Sequence, residues 1–122
     1  MDLIISQNKN YLVGDNLIEK LKNVFLIICD EEKLSDCSIN LKILDDEEMK
    51  DLNYRFRKKN LSTNVLSFTN EDISKGITGN LGDIAINYEY VNRESKELNK
   101  TFDNHMIHML IHGIYHILGF DH

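Results

Sequence analysis

Proline and tryptophan are absent from the 122-residue chain, and cysteine occurs only twice. Without proline, collagen-like, mucin-like and polyproline segments are excluded. Two cysteines make no disulfide framework, and Cys29 and Cys37 lack the C-x-x-C spacing of a zinc knuckle. They read as reduced, buried, small apolar residues. Long hydrophobic runs are missing too. The longest, Val24 to Cys29, has six residues, whereas a bilayer span needs about 20. The N-terminal MDLIISQNKN has an acid at position 2 and no basic leader. A cytoplasmic protein with no membrane association is expected. A basic excess is also lacking: 14 Lys+Arg stand against 20 Asp+Glu, a net charge of −6. A domain that coats nucleic acid without specificity has a pI above about 9. One local exception stands out, the four cations Arg55, Arg57, Lys58 and Lys59. They read either as a solvated helix end, where cations complement the dipole, or as an anion-binding patch.

What is present suffices for one domain, residues 1–122. A chain of this size buries roughly 65% of its unfolded surface and needs no staples. Leu3-Ile4-Ile5 reads as a short strand. Asp15 is a candidate N-cap for a helix carrying Leu17, Ile18, Leu21, Val24, Phe25 and Ile28. Cys37 to Leu44 alternates apolar and polar residues, which predicts a half-buried strand. The acids at 45–48 open a second helix, with Met49, Leu52 and Phe56 on one face. Residues 64–69 and 82–88 predict two strands separated by a glycine-containing loop at 71–80, and so able to pair antiparallel. Helices follow at 88–98 and 102–118, the last stopped by Gly119. The order β-α-β-α-β-β-α-α, with a βαβ-like first half, predicts an α+β fold: a small mixed β-sheet packed against helices.

All five histidines, His105, His108, His112, His116 and His122, fall in the last eighteen residues. At about 100° per residue the first four share one helical stripe about 80° wide. His112 and His116 are one turn apart, a spacing that chelates one metal ion. Gly113 permits close approach to the helix. Gly119 reverses the chain so that His122 can return as a third ligand. Three neutral imidazoles leave a tetrahedral ion one open position, the arrangement of a catalytic site. His105 and His108, further back on the stripe, read as walls of the cleft or as packed residues. The pattern H-G-x-x-H-x-x-G-x-x-H is the zincin motif with Gly113 where that motif has its general-base glutamate. Peptide hydrolysis loses its proton acceptor. Phosphodiester cleavage, which depends more on electrostatics and wants a guanidinium beside the metal, fits better. The Arg55–Lys59 cluster thereby becomes a candidate phosphate clamp.

HMLIHGIYHILGFDH at 108–122 resembles the signature of the YbeY (UPF0054) family of endoribonucleases. LNYRFRKKNLSTNVLSF at 52–68 resembles that family's arginine-bearing helix end and T-[DN]-V-L-S-F strand, and LGDIAI at 81–86 its G-D-I strand. The resemblance implies one Zn²⁺ per chain held by His112, His116 and His122. Imidazole sites also accept Ni, Co or Cu. It implies that the family's functional arginine is Arg57, so Arg57 and His112 are the candidate catalytic residues. The implied activity is metal-dependent endonucleolytic cleavage of single-stranded RNA, tied to 16S rRNA 3′-end maturation and ribosome quality control on the small subunit. The implied fold places a metalloprotease-like metal helix near the C-terminus. Ser62, and Thr69 after LSF, stand where the family commonly has proline, so looser loops are expected there.

Two other classes remain open at this stage. One is a non-catalytic ribosome-assembly factor with a structural metal, and the other a small-substrate metallohydrolase. Lys58 and Lys59 are candidates for steering RNA. Asp121 is a candidate for orienting a ligating histidine, and Asp83 for capping a loop near the site. Composition and motifs leave the oligomeric state and the cleavage site open.

Overall fold

The computed structural model describes residues 1–70 and 79–120. The elements run β1 (Asp2–Gln7), α1 (Asp15–Glu31), β2 (Cys37–Leu44), α2 (Asp46–Arg57), β3 (Val65–Thr69), β4 (Gly79–Asn87), α3 (Tyr88–Glu97) and α4 (Phe102–Ile117). The predicted order is the observed one. The sheet order is β1-β2-β4-β3. β1 pairs parallel with β2 and β2 with β4, whereas β3 pairs antiparallel with β4. The fold is therefore α+β with a mixed sheet. Among the described residues no helix is long and apolar enough to cross a membrane.

The two faces of the sheet bury different partners. Ile39, Leu41 and Ile43 of β2 and Ile84 and Ile86 of β4 are fully buried. They pack with Leu17, Leu21, Phe25 and Ile28 of α1 and with Met106, Leu110, Ile114 and Ile117 of α4 in one core. The opposite face carries a smaller cluster, in which Met49 and Leu52 of α2 meet Leu66, Phe68 and Ala85. Strand alternation generates both sets, since successive side chains point to opposite faces. Cys29 and Cys37 are buried thiols that form no disulfide, and the Cys37 thiol donates to the Ser35 carbonyl at 3.1 Å. Burial above all raises both thiols from their ordinary range, which keeps them unreactive.

Local chemistry sets the boundaries. Asp45 caps α2 reciprocally: its carboxylate accepts from the Glu48 N–H at 2.8 Å, and the Glu48 carboxylate accepts from the Asp45 N–H at 3.2 Å. α1 differs from expectation by one residue. Gly14 holds the N-cap position, and Asp15 is the first helical residue. There its charge still faces the positive end of the helix. β4 begins at Gly79, earlier than the glycine content predicts, because Gly79 and Asn80 pair with Cys37 and Ser38 of β2. Residues 71–78, most of the expected loop, lie outside the described residues.

Asp46, at the start of α2, ties three elements together. It accepts from both Arg93 guanidinium nitrogens (2.8 and 3.0 Å), from Asn87 Nδ2 (2.7 Å) and from Ser62 Oγ (3.0 Å). Ser62 also accepts from Asn87 Nδ2 at 2.8 Å. The segment leading into β3 is thus held by hydrogen bonds where a proline ring is absent. The Arg93 guanidinium first, then Asn87 and Ser62, hold the Asp46 carboxyl at about 2, below its ordinary 3.8, against the opposing effect of burial. A depressed carboxyl contributes stability above its unfolded value and loses it as pH falls. After solvent screening the contribution is about 1 kcal/mol. Asp46→Asn is therefore expected to be less stable than the parent in urea at pH 7, with the gap closing as pH approaches about 2. An equal gap at both pH values would show that the charge is not what holds the junction.

Candidate metal and RNA site

α4 presents two chemically distinct sides. Met106, Met109, Leu110, Gly113, Ile114 and Ile117 are buried. His108, His112 and His116 are exposed along the opposite line. Their i, i+4, i+8 spacing puts them on successive turns of one stripe. The helix starts where the Thr101 hydroxyl accepts from the Asn104 N–H at 3.1 Å and ends ahead of Gly119 at φ +92°. Gly113 does allow a close approach, and the approaching group is Ile84 of β4. A Cβ at position 113 would lie 3.0 Å from that side chain. This glycine seats the helix on the sheet.

The edge of the sheet delivers the remaining groups. β1 is one of the two outer strands and β3 is the other. Its Ser67 points toward α4, and the Ser67 hydroxyl lies 2.7 Å from His116 Nδ1. Arg57, the last residue of α2, reaches the same strand from the other side. Its Nη2 donates to the Ser67 main-chain carbonyl at 3.1 Å, and its guanidinium carbon lies 5.6 Å from the Phe68 ring centre. One residue of β3 therefore joins the arginine and the histidine stripe. The sequence gives no more than a hint of this role: Ser67 interrupts an apolar strand at a position facing the core.

The donor set fits a metal ion. When His116 Nδ1–H donates to the Ser67 hydroxyl, Nε2 keeps the lone pair that ligation requires and the ring is held in place. His112 stands one turn away, beside a pocket of about 290 Å³ lined with His108, Ile111 and Tyr115. Among the described residues no third metal-binding side chain joins this pair. His122 and Asp121 lie outside the described residues. His108 is shifted below the ordinary imidazole range, first by burial and then by the Lys100 cation and the neighbouring His105 and His112.

His105 departs from the rest of the stripe. It is 2% exposed, and its Nε2 lies 2.7 Å from Glu94 Oε1. The same oxygen accepts from Asn64 Nδ2 at 3.0 Å. Burial raises the Glu94 carboxyl, but Asn64 and His105 together outweigh it and lower it overall. His105 thus ties α4 to α3 and to the approach of β3, as the packing alternative anticipates. Asp83 does not sit near the histidines. It lies on the α2 side of the sheet and accepts from Asn40 Nδ2 at 2.9 Å. The strand alternation that turns Ile84 toward α4 turns Asp83 away. Lys58 takes the left-handed C-cap of α2 at φ 58°, and both it and Lys59 are exposed.

Residues 3–122 match the family described as Endoribonuclease YbeY. The chain belongs to the YbeY family. It is 34% identical over 123 residues to the endoribonuclease YbeY of Francisella philomiragia, covering 98% of this chain and 76% of that protein. Identity to the Chelativorans YbeY is 46% over 87 residues, 70% of this chain and 53% of that one. The Wigglesworthia glossinidia YbeY is 39% identical over 107 residues, 84% of this chain and 64% of that one. The aligned region thus spans between about half and three quarters of these relatives. The solution structure of TM1509 from Thermotoga maritima superposes with a TM-score of 0.68 at 31% identity, covering all of this chain and 75% of that one. The YbeY resemblance drawn from three sequence segments accordingly extends over nearly the whole chain.

Proposed function

We propose that this YbeY-family chain is a metal-dependent endoribonuclease that cuts single-stranded RNA. On this reading it acts in 16S rRNA 3′-end maturation and ribosome quality control at the small subunit. The observation that carries the reading is the Arg57–Ser67–His116 junction, because a single residue of β3 contacts both the Arg57 guanidinium, through its carbonyl, and one member of a histidine pair of ligand spacing, through its hydroxyl. His112, His116 and His122 would hold the ion, with zinc the expected metal and nickel, cobalt or copper able to replace it. A bound ion supplies Lewis-acid polarisation at the scissile phosphate. The Ser67 hydroxyl fixes the His116 ring. Arg57 grips phosphate oxygens and offsets the charge that builds on them, which a planar guanidinium does better than an ammonium. Lys58 and Lys59 draw the RNA backbone toward the cleft.

The test is cleavage of single-stranded RNA by the purified chain, with chelation and metal add-back. Arg57→Ala is expected to slow cleavage about 100-fold, and Arg57→Lys to recover little of it. Cleavage at full rate in both the Arg57→Ala and the chelated samples would identify a contaminating nuclease. RNA binding that weakens steeply with salt, without turnover at any metal, would replace this reading with a non-catalytic assembly factor.

A further inference from the structure

On the α2 side of the sheet a groove of about 540 Å³ runs beside the Arg57–Ser67 contact. Its walls include Lys42, Arg55, Phe56, Phe68, Thr69 and Asp83. That volume falls within the range of small-molecule sites. Phe56 is unexpected there. The helical pattern puts it on the core face with Met49 and Leu52, yet it is 63% exposed. Its ring centre lies 5.2 Å from that of Phe68, at an interplanar angle of 53°. Each ring has a guanidinium over it: Arg55 stands 6.0 Å from Phe56, and Arg57 stands 5.6 Å from Phe68. Arg55 is also paired with Asp51 at 3.1 Å.

An exposed phenylalanine next to a groove invites a reason, because leaving most of its ring in water forgoes burial that an apolar side chain would otherwise gain. Here the pattern of neighbours supplies one. Aromatic faces interleaved with arginines are how proteins hold unstacked bases: rings and guanidinium planes stack on the bases while the cations meet the backbone. Among the described residues the one acid in the wall is Asp83, which accepts from Asn40 Nδ2, and Lys42 lines the same wall. Arg57 belongs to both places, since it lies over Phe68 and bonds to the Ser67 carbonyl. We infer that Phe56 and Phe68, flanked by Arg55 and Arg57, form a stacking platform for RNA bases next to the phosphate held at Arg57. This inference rests on the endoribonuclease reading for its ligand and deepens it. The substrate must be single-stranded at the cut because paired bases cannot reach the rings.

The test is binding of a short single-stranded RNA carrying 2-aminopurine to the full chain with His112→Ala, so that no cleavage intervenes. Stacking on the platform quenches the probe. Phe56→Ala in that background is expected to bind about tenfold more weakly with the quench lost, and Phe56→Trp to restore both. Phe56 is exposed, so the variant keeps its fold, as thermal unfolding will verify. An RNA with abasic positions is expected to bind the parent and Phe56→Ala equally. Equal affinity of the base-bearing RNA for parent and Phe56→Ala overturns the platform. If the chain with all its histidines also cleaves RNA, the nuclease reading survives that result. Platform-dependent quenching in a chain that never cleaves at any metal leaves the platform standing and removes the nuclease reading.

Discussion

His116→Ala is expected to purify without a transition-metal ion and to cleave RNA no faster than chelator-treated parent. Parent protein should carry about one such ion per chain by elemental analysis. The expectation follows from the placement of the side chain. His112 and His116 lie one turn apart, so they can act as a chelating pair, and removing either leaves one ligand on the helix. His116 is exposed, so its loss opens no cavity, and its cost to the fold is the hydrogen bond to the buried Ser67 hydroxyl, about 1 kcal/mol. A thermal unfolding midpoint close to that of the metal-free parent separates loss of the site from loss of the structure. Ser67→Ala is the graded companion. It leaves both imidazoles but frees the His116 ring, and should weaken metal affinity about 10- to 100-fold. Metal retained at full stoichiometry in His116→Ala would remove that residue from the ligand set.

Gly82→Ala is expected to cost about 3–5 kcal/mol of stability, read as a large fall in the urea midpoint. Gly82 has φ +154°, and a Cβ built on it would lie 2.2 Å from the Phe68 carbonyl oxygen. The next nearest atoms, the Phe68 carbonyl carbon and Thr69 Cα at 3.2 Å, are also backbone. No side chain can rotate away, so β3 has to separate from β4 where Thr69 pairs with Gly82. On the proposed function the damage is expected to extend to RNA cleavage, because β3 carries both Ser67 and Phe68. Gly14 is the control: an added Cβ there meets nothing within 4 Å. A Gly82→Ala chain as stable as Gly14→Ala would mean that β3 and β4 do not meet at this distance.

Much of the fold was legible because period carries burial. Cys37, Ile39, Leu41 and Ile43 alternate in sequence and are all buried in β2, and Leu17, Leu21, Phe25 and Ile28 mark the buried side of α1. Terminal residues are where sequence and structure part. A cap depends on which residue turns first, and Gly14 takes a place that Asp15 suits by composition. β4 starts at Gly79 because a neighbouring strand is there to pair with, which no local propensity reports. The site divides in the same way. Histidine spacing is local, so the stripe is visible at once. The Ser67–His116 contact joins residues 49 apart in sequence, and the Glu94–His105 link depends on how α3 lies across α4. Asp83 bonds Asn40 of β2 rather than capping a loop beside the histidines, because its place in the pleat, which its sequence neighbours do not reveal, decides the face it takes. Phe56 aligns with Met49 and Leu52 yet stays exposed, because a helical stripe shows which residues align, not how far the sheet extends beneath them.

The Arg57–Ser67 hydrogen bond has a consequence for how the molecule stays apart from its own copies. An outermost strand offers main-chain acceptors to any passing chain, and strand addition there is a common route to aggregation. A guanidinium already seated on the Ser67 carbonyl occupies one such acceptor and places a cation where a second strand would dock. Arg57 therefore guards the sheet edge in addition to its proposed grip on phosphate, and replacing it is expected to open that edge to self-association.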